Sequence, residues 1–180
     1  KYNINIVHDL FADTADYDHF IAGIGEESNG AHEHASSDGM YISQNGGLDD
    51  GEYLFASNDS AVNHVDTLKT GSRVVNTGAE AAWNREWFIE QTGDFNVTFA
   101  FDFSEGIENG KYPQELSNYI LLYRADTTSD YSVVSFSERG IQNSDQVYFD
   151  VSAADVNNGY YTLASTDTTE SPLQGDEAQT

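Results

Sequence analysis

His32-Glu-His34 is the only close histidine pair in the chain. Side chains two apart on an extended strand share a face, so both imidazoles could offer nitrogen to zinc or another borderline metal. His8, His19 and His64 are the available third ligands. The flanks Ser28-Asn-Gly-Ala31 and Ala35-Ser-Ser-Asp-Gly39 instead read as exposed loop, and no H-E-x-x-H helix accompanies the pair.

Carboxylates suggest a harder cation. Calcium takes about 6 to 8 oxygen ligands at roughly 2.3 to 2.6 Å, from carboxylates, amide oxygens and carbonyls. Asp49 and Asp50 lie in the turn Gly46-Gly-Leu-Asp-Asp-Gly51, and Asp59 in the oxygen-rich turn Ser57-Asn-Asp-Ser60. A strand over residues 52–56 would hold those turns at its opposite ends, so they need not share an ion. Asp126 and Asp130 could converge if their loop curls, and Asp9, Asp13, Asp16 and Asp18 form the densest acidic run. The competing reading of each turn is a solvated one, and repulsion within the Asp9 to Asp18 run would be relieved by a cation or by high salt.

Aromatic side chains offer a different chemistry. An exposed Trp83 with Tyr160 or Tyr161 would stack on a sugar ring, whereas Trp87, opening a strand, belongs to the core. Core packing is the competing reading for Trp83 also. No catalytic residues are assigned and no enzyme is expected. The chain lacks cysteine, a G-x-S-x-G elbow and a phosphate loop, and among 31 acids some pair meets any glycosidase spacing by chance.

The composition sets the surroundings for these groups. Against 31 Asp and Glu stand 7 Lys and Arg, a net charge of -24 over 180 residues. Such a surface repels nucleic acid and anionic membranes and suits cations, salt, or a neutral or basic partner. Salt relieves the self-repulsion, the screening length falling from about 8 Å at physiological ionic strength to roughly 3 Å at 1 M. A marine or halophilic surface protein fits that pattern. Arg73 and Arg85, rare cations in this chain, are expected to pair with carboxylates. The 10 Phe, 11 Tyr and 2 Trp supply a folded aromatic core. No apolar run approaches the roughly 20 residues of a membrane helix, so membrane insertion is not expected. The opening run Lys1-Tyr-Asn-Ile-Asn-Ile-Val7 lacks an initiator Met, which suggests a piece of a longer protein preceded by a missing N-terminal region.

The elements that would position these groups are short strands. Phe95-Asn-Val-Thr-Phe-Ala-Phe-Asp-Phe103 alternates, placing Phe95, Val97, Phe99, Phe101 and Phe103 on one face. Residues 87–93 precede it, and Thr92-Gly93-Asp94 is expected to close a hairpin between the two. Further strands are expected over 119–123, central and apolar on both faces, and over 131–136, 146–151 and 159–164. Upstream, strands are expected over 19–24, 39–43, 52–56 and 73–76. Residues 10–20 and 78–86 hold short helices at most. The pattern predicts an all-β, antiparallel β-sandwich, jelly-roll-like or Ig-like, as a single domain over 1–164. Residues 165–180 read as a flexible acidic tail or linker.

Arg85-Glu-Trp-Phe-Ile-Glu-Gln-Thr-Gly93, followed by the alternating strand and Asp102-Phe-Ser104, resembles a domain of unknown function from large bacterial surface and secreted proteins. That domain often adjoins concanavalin-like or laminin-G-like modules. The resemblance extends through Phe20-Ile-Ala-Gly-Ile-Gly25, Phe55-Ala-Ser-Asn-Asp59, Tyr119-Ile-Leu-Leu-Tyr123 and Gly159-Tyr-Tyr-Thr-Leu163, about residues 19–164. It implies an extracellular accessory module. Family members often carry a D-x-D-G-like turn where this chain has Asp126-Thr-Thr-Ser-Asp130, without the close acidic pair or the glycine.

The expected function is therefore a non-catalytic module of a bacterial surface or secreted protein, for adhesion or spacing, with calcium stabilising its loops. Its partners would be neighbouring domains and a glycan or cell-surface ligand. The alternative is a carbohydrate-binding module of a polysaccharide-processing system.

Overall fold

In the computed structural model, which describes residues 17–59, 74–106 and 113–173, two antiparallel sheets face each other across one aromatic core. The strands are β1 (His19–Glu27), β2 (Gly30–His32), β3 (His34–Ser37), β4 (Met40–Gln44), β5 (Tyr53–Asn58), β6 (Ala81–Ala82), β7 (Trp87–Thr92) and β8 (Val97–Asp102). A single turn of helix, α1 (Phe103–Gly106), precedes β9 (Tyr119–Arg124), β10 (Ser132–Val133), β11 (Glu138–Gln142), β12 (Gln146–Val151) and β13 (Gly159–Ser165). The larger sheet runs β10-β9-β13-β7-β5-β1-β2, with β6 also paired to β13, and the smaller runs β11-β12-β8-β4-β3. The expected all-β sandwich with minimal helix is the observed architecture.

Strand β8 is the centre of the smaller sheet because its alternation puts Val97, Phe99 and Phe101, then Phe103 of α1, into the core, all fully buried. Trp83 and Trp87 meet them from the larger sheet, with ring centroids 5.8 Å and 5.6 Å from Phe101 in edge-to-face contact. Such aromatic pairs contribute about 0.5 to 1.5 kcal/mol each beyond area burial. Both indoles also satisfy their N–H groups: Trp83 donates to the Leu173 carbonyl at 3.1 Å and Trp87 to the Ser37 carbonyl at 2.5 Å.

The expected hairpin at Thr92-Gly93-Asp94 does not form: β7 and β8 lie in opposite sheets. Both strands carry large inward side chains, which pack face to face rather than edge to edge. The corner is held by Asp94, whose N–H donates to Glu52 at 3.0 Å, and by Asn96, whose carbonyl accepts from Asn45 at 2.9 Å. Gly93 there adopts φ of +97°, open to glycine at little cost.

Other boundaries differ too. Only Ser132–Val133 of residues 131–136 is strand; Val134 N–H adds one bond to Leu121 and Tyr131 turns into a buried cluster. Strand β11 joins the smaller sheet although its sequence Glu-Arg-Gly-Ile-Gln signals no apolar face. Arg73 lies outside the described residues, and Val74 and Val75 sit in a turn closed by Thr77 N–H to the Val74 carbonyl, not in a strand. Residues 78–86 contain β6 rather than a helix. Strand β9 is apolar on both faces as expected, because Leu121 enters the main core while Leu122 joins Ala82, Tyr131 and Ala164 on the outer face; it lies one strand from the edge.

The tail also departs from expectation. Ser165 completes β13, Ser171 is fully buried, and Leu173 reaches the core at 2% exposure. The physical reason is the Trp83 indole, which needs an acceptor and finds the Leu173 carbonyl. Residues 174–180 lie outside the described residues.

On the outer face of the larger sheet, Arg124 and Glu86 form an ion pair at 2.5 Å, with their side chains 9% and 4% exposed. The Tyr17 hydroxyl donates to the same carboxylate at 2.7 Å, as does that of Tyr131, and the guanidinium lies 5.2 Å and 5.4 Å from the Tyr131 and Tyr160 ring centroids. A buried pair of this kind is tolerated because further donors satisfy the carboxylate. Arg85, as expected for so rare a cation, pairs with Asp38 at 2.5 Å and so ties the larger sheet to the β3–β4 turn of the smaller.

Leu173→Ala is expected to cost about 2 to 5 kcal/mol, the range for truncating a buried leucine. Urea unfolding reads this, and an unchanged midpoint would mean that residues 166–173 are a loose end after all. A second expectation concerns alkali. Burial pushes the Tyr119 phenol up to about 12, and burial followed by the Glu86 carboxylate raises Tyr17 as well. Unfolded tyrosine ionises near 10, so the folded state holds these protons more tightly. Stability is accordingly retained below about pH 10 and lost progressively as the pH rises through 12. Absorbance titration of phenolate should show a class of tyrosines that ionises only with unfolding; a single transition near 10 would contradict it.

Candidate functional site

Among the described residues, a partly exposed aromatic surface lies where β1 and β5 pair on the outer face of the larger sheet. Strand β5 alternates, with Leu54 and Ala56 fully buried inward and Tyr53 and Phe55 half-buried on the outside. Opposite them in register stand two glycines, Gly25 against Tyr53 and Gly23 against Phe55. A Cβ at Gly25 would lie 2.3 Å from Tyr53 Cδ1, and one at Gly23 would lie 2.5 Å from Phe55 Cδ1. The rings therefore occupy space that any other residue on β1 would fill. Their centroids are 6.3 Å apart and their planes 13° from parallel.

A polar wall stands beside this ledge. The β1–β2 hairpin turns at Ser28 and Asn29 between the paired residues Glu27 and Gly30, and Gly30 takes φ of +143° to close it. Tyr53 donates its hydroxyl to Glu27 Oε1, which fixes the ring and brings a carboxylate to its edge. With Asn29 and His32, these groups bound a solvent-open depression of about 390 Å³. Apolar ring faces flanked by amide, imidazole and carboxylate are suited to stacking a flat apolar surface while hydrogen-bonding its polar rim.

The aromatic platform expected from sequence is elsewhere and closed. Trp83 and Tyr161 are fully buried and Tyr160 is 6% exposed, so none of them can present a ring to a ligand. Tyr161 stacks on Phe99 at 5.1 Å and donates its hydroxyl to the Asn157 carbonyl at 2.8 Å; Tyr160 meets Tyr17 edge-on at 4.7 Å. Their strand, β13, lies between β9 and β7 and is covered on both faces.

The proposed cation ligands are not brought together. Asp49 and Asp50 sit in the β4–β5 loop and Asp59 follows the far end of β5, about 17 to 20 Å away for a strand of that length. Asp49 does border a polar depression of about 430 Å³ with Asp94 and Glu52. The Glu52 oxygens there are occupied by backbone N–H groups, of Asp49 at 2.8 Å and of Asp94 at 3.0 Å. Asp126 accepts from the N–H and hydroxyl of both Thr128 and Ser129 at 2.6 to 2.8 Å. Those bonds, the Thr128 hydroxyl foremost, hold its carboxyl well below the usual range. They close the loop as a turn rather than a clamp with Asp130. His32 and His34 end up on β2 and β3, in different sheets, and His34 stacks on Tyr41 at 6.2 Å. Among the described residues no three His, Asp or Glu side chains are grouped to hold a metal ion. Asp9, Asp13, Asp16, His8 and His64 lie outside the described residues.

Comparison with protein-family models, with curated proteins and with solved structures found no match. Sequence reasoning missed Tyr53 and Phe55. A signal was present, since Gly-x-Gly in a strand marks a close approach by another group. Finding the rings that make it requires the β1–β5 register.

Gly25→Ala is expected to displace the Tyr53 ring and destabilise the fold by about 1 to 3 kcal/mol, as overpacking does. Near-ultraviolet circular dichroism reports the ring and urea unfolding the cost. No change in either would mean that the ring does not lie across the glycine.

Proposed function

We propose that the chain is a non-catalytic β-sandwich module that binds carbohydrate through the Tyr53 and Phe55 ledge. The observation that carries this reading is the pair of near-parallel rings laid across Gly23 and Gly25 beside a polar wall. The CH-rich face of a pyranose is apolar while its edge is hydroxylated, and this surface offers both complements. Half-buried rings fixed by glycine and by a hydroxyl bond lose little freedom on binding, which favours affinity. An extracellular setting beside other modules accords with the acidic composition and with the resemblance carried by residues 85–104. A spacing or adhesive role without a glycan needs no such ledge.

The test is titration calorimetry after screening a glycan array of neutral, amino and acidic oligosaccharides. Tyr53→Ala and Phe55→Ala are each expected to weaken the best ligand about tenfold, near the hot-spot range for truncated aromatics. Trp83→Phe should leave affinity unchanged if it folds. Absence of binding across the array would replace this reading with the spacer.

A further inference from the structure

Within the carbohydrate reading, the charges around the ledge also select the kind of sugar. We infer that the depression between Tyr53, Phe55 and the β1–β2 hairpin prefers amino sugars bearing a free, protonated amine. Glu27 supplies the first ground. Tyr53 takes its Oε1, while Oε2 makes no hydrogen bond among the described residues, so a carboxylate oxygen remains for a ligand donor at the ring edge. The Tyr53 ring supplies the second, because a cation held over a tyrosine face is attracted by the ring quadrupole.

The third ground is what the lining lacks. Among the described residues no Lys or Arg borders the depression, and His32 is the one basic side chain there. Sugars bearing carboxylate or sulfate would meet the like charge of Glu27 at the ring edge. The net charge of -24 repels them further and attracts polyamines. An N-acetylated sugar keeps the stacking face but loses the charge, so it isolates the contribution of the amine.

The probes are trimers of glucosamine, N-acetylglucosamine and galacturonate, titrated against the whole chain in one buffer at neutral pH. The glucosamine trimer is expected to bind about tenfold more tightly than the acetylated trimer, the scale of one added charge-assisted hydrogen bond. Galacturonate should not bind. Glu27→Gln preserves an acceptor for Tyr53 and should remove most of the preference. Glu138→Gln, on β11 of the other sheet, deletes the same charge and should leave the preference intact. A preference that survives Glu27→Gln, or falls equally with Glu138→Gln, would assign it to general attraction and overturn the inference. Equal affinity for the two glucosamine-based trimers would overturn it while leaving the carbohydrate reading in place. Failure of all three trimers, with an empty glycan array, would remove both.

Discussion

The structure depends on the contact between one alternating strand and two tryptophans. Strand β8 turns Val97, Phe99 and Phe101 inward, and Trp83 and Trp87 descend on Phe101 from the opposite sheet. A chain carrying 31 acidic and 7 basic residues repels itself when compact. Buried aromatic surface is the term that opposes this, at roughly 25 cal/mol per Å² removed from water. Many later features follow from seating those rings. The Leu173 carbonyl is drawn in to satisfy Trp83, Ser37 is held against Trp87, and β7 leaves for the opposite sheet instead of pairing with β8.

The larger sheet divides its outer face between two solutions. Across β7, β13 and β9 it is sealed, with the Glu86–Arg124 pair enclosed by Tyr17, Tyr131 and Tyr160. Across β1 and β5 two glycines remove the side chains that would cover it, and Tyr53 and Phe55 lie half-exposed in their place. Tyrosine on the sealed side is structural, with Tyr17 and Tyr131 both donating their hydroxyls to Glu86. On the other side Tyr53 is half-buried and borders a solvent-open depression. Placement relative to the glycines, more than composition, separates the two roles.

Much of the fold was legible because single-strand patterns are local. The alternation of residues 95–103 marked β8, the doubly apolar run from Tyr119 marked a strand covered on both sides, and residues 146–151 are a strand as read. Features set by partners were not legible. Glu138–Gln142 has no apolar face and becomes a strand only because β12 offers it a ladder. The turn residues Thr92-Gly93-Asp94 suit a hairpin as well as a corner, and only the facing tryptophans decide. The site followed the same division: the sequence pointed to Trp83 with Tyr160 or Tyr161, but these rings are buried. Tyr53 and Phe55 were inconspicuous until pairing set them over Gly25 and Gly23.

The core aromatics are sealed, and the proposed ligand surface is the depression beside Tyr53 on the outer face of β1 and β5. Hydroxyl-radical footprinting read by mass spectrometry, with and without a bound oligosaccharide, tests this arrangement most directly. Tyr53 should be oxidised in the free protein and protected by the ligand, while Trp83, Trp87 and Tyr161 stay unoxidised in both. Oxidation of Trp83 or Tyr161 in the folded protein, or ligand protection falling away from Tyr53, would contradict it.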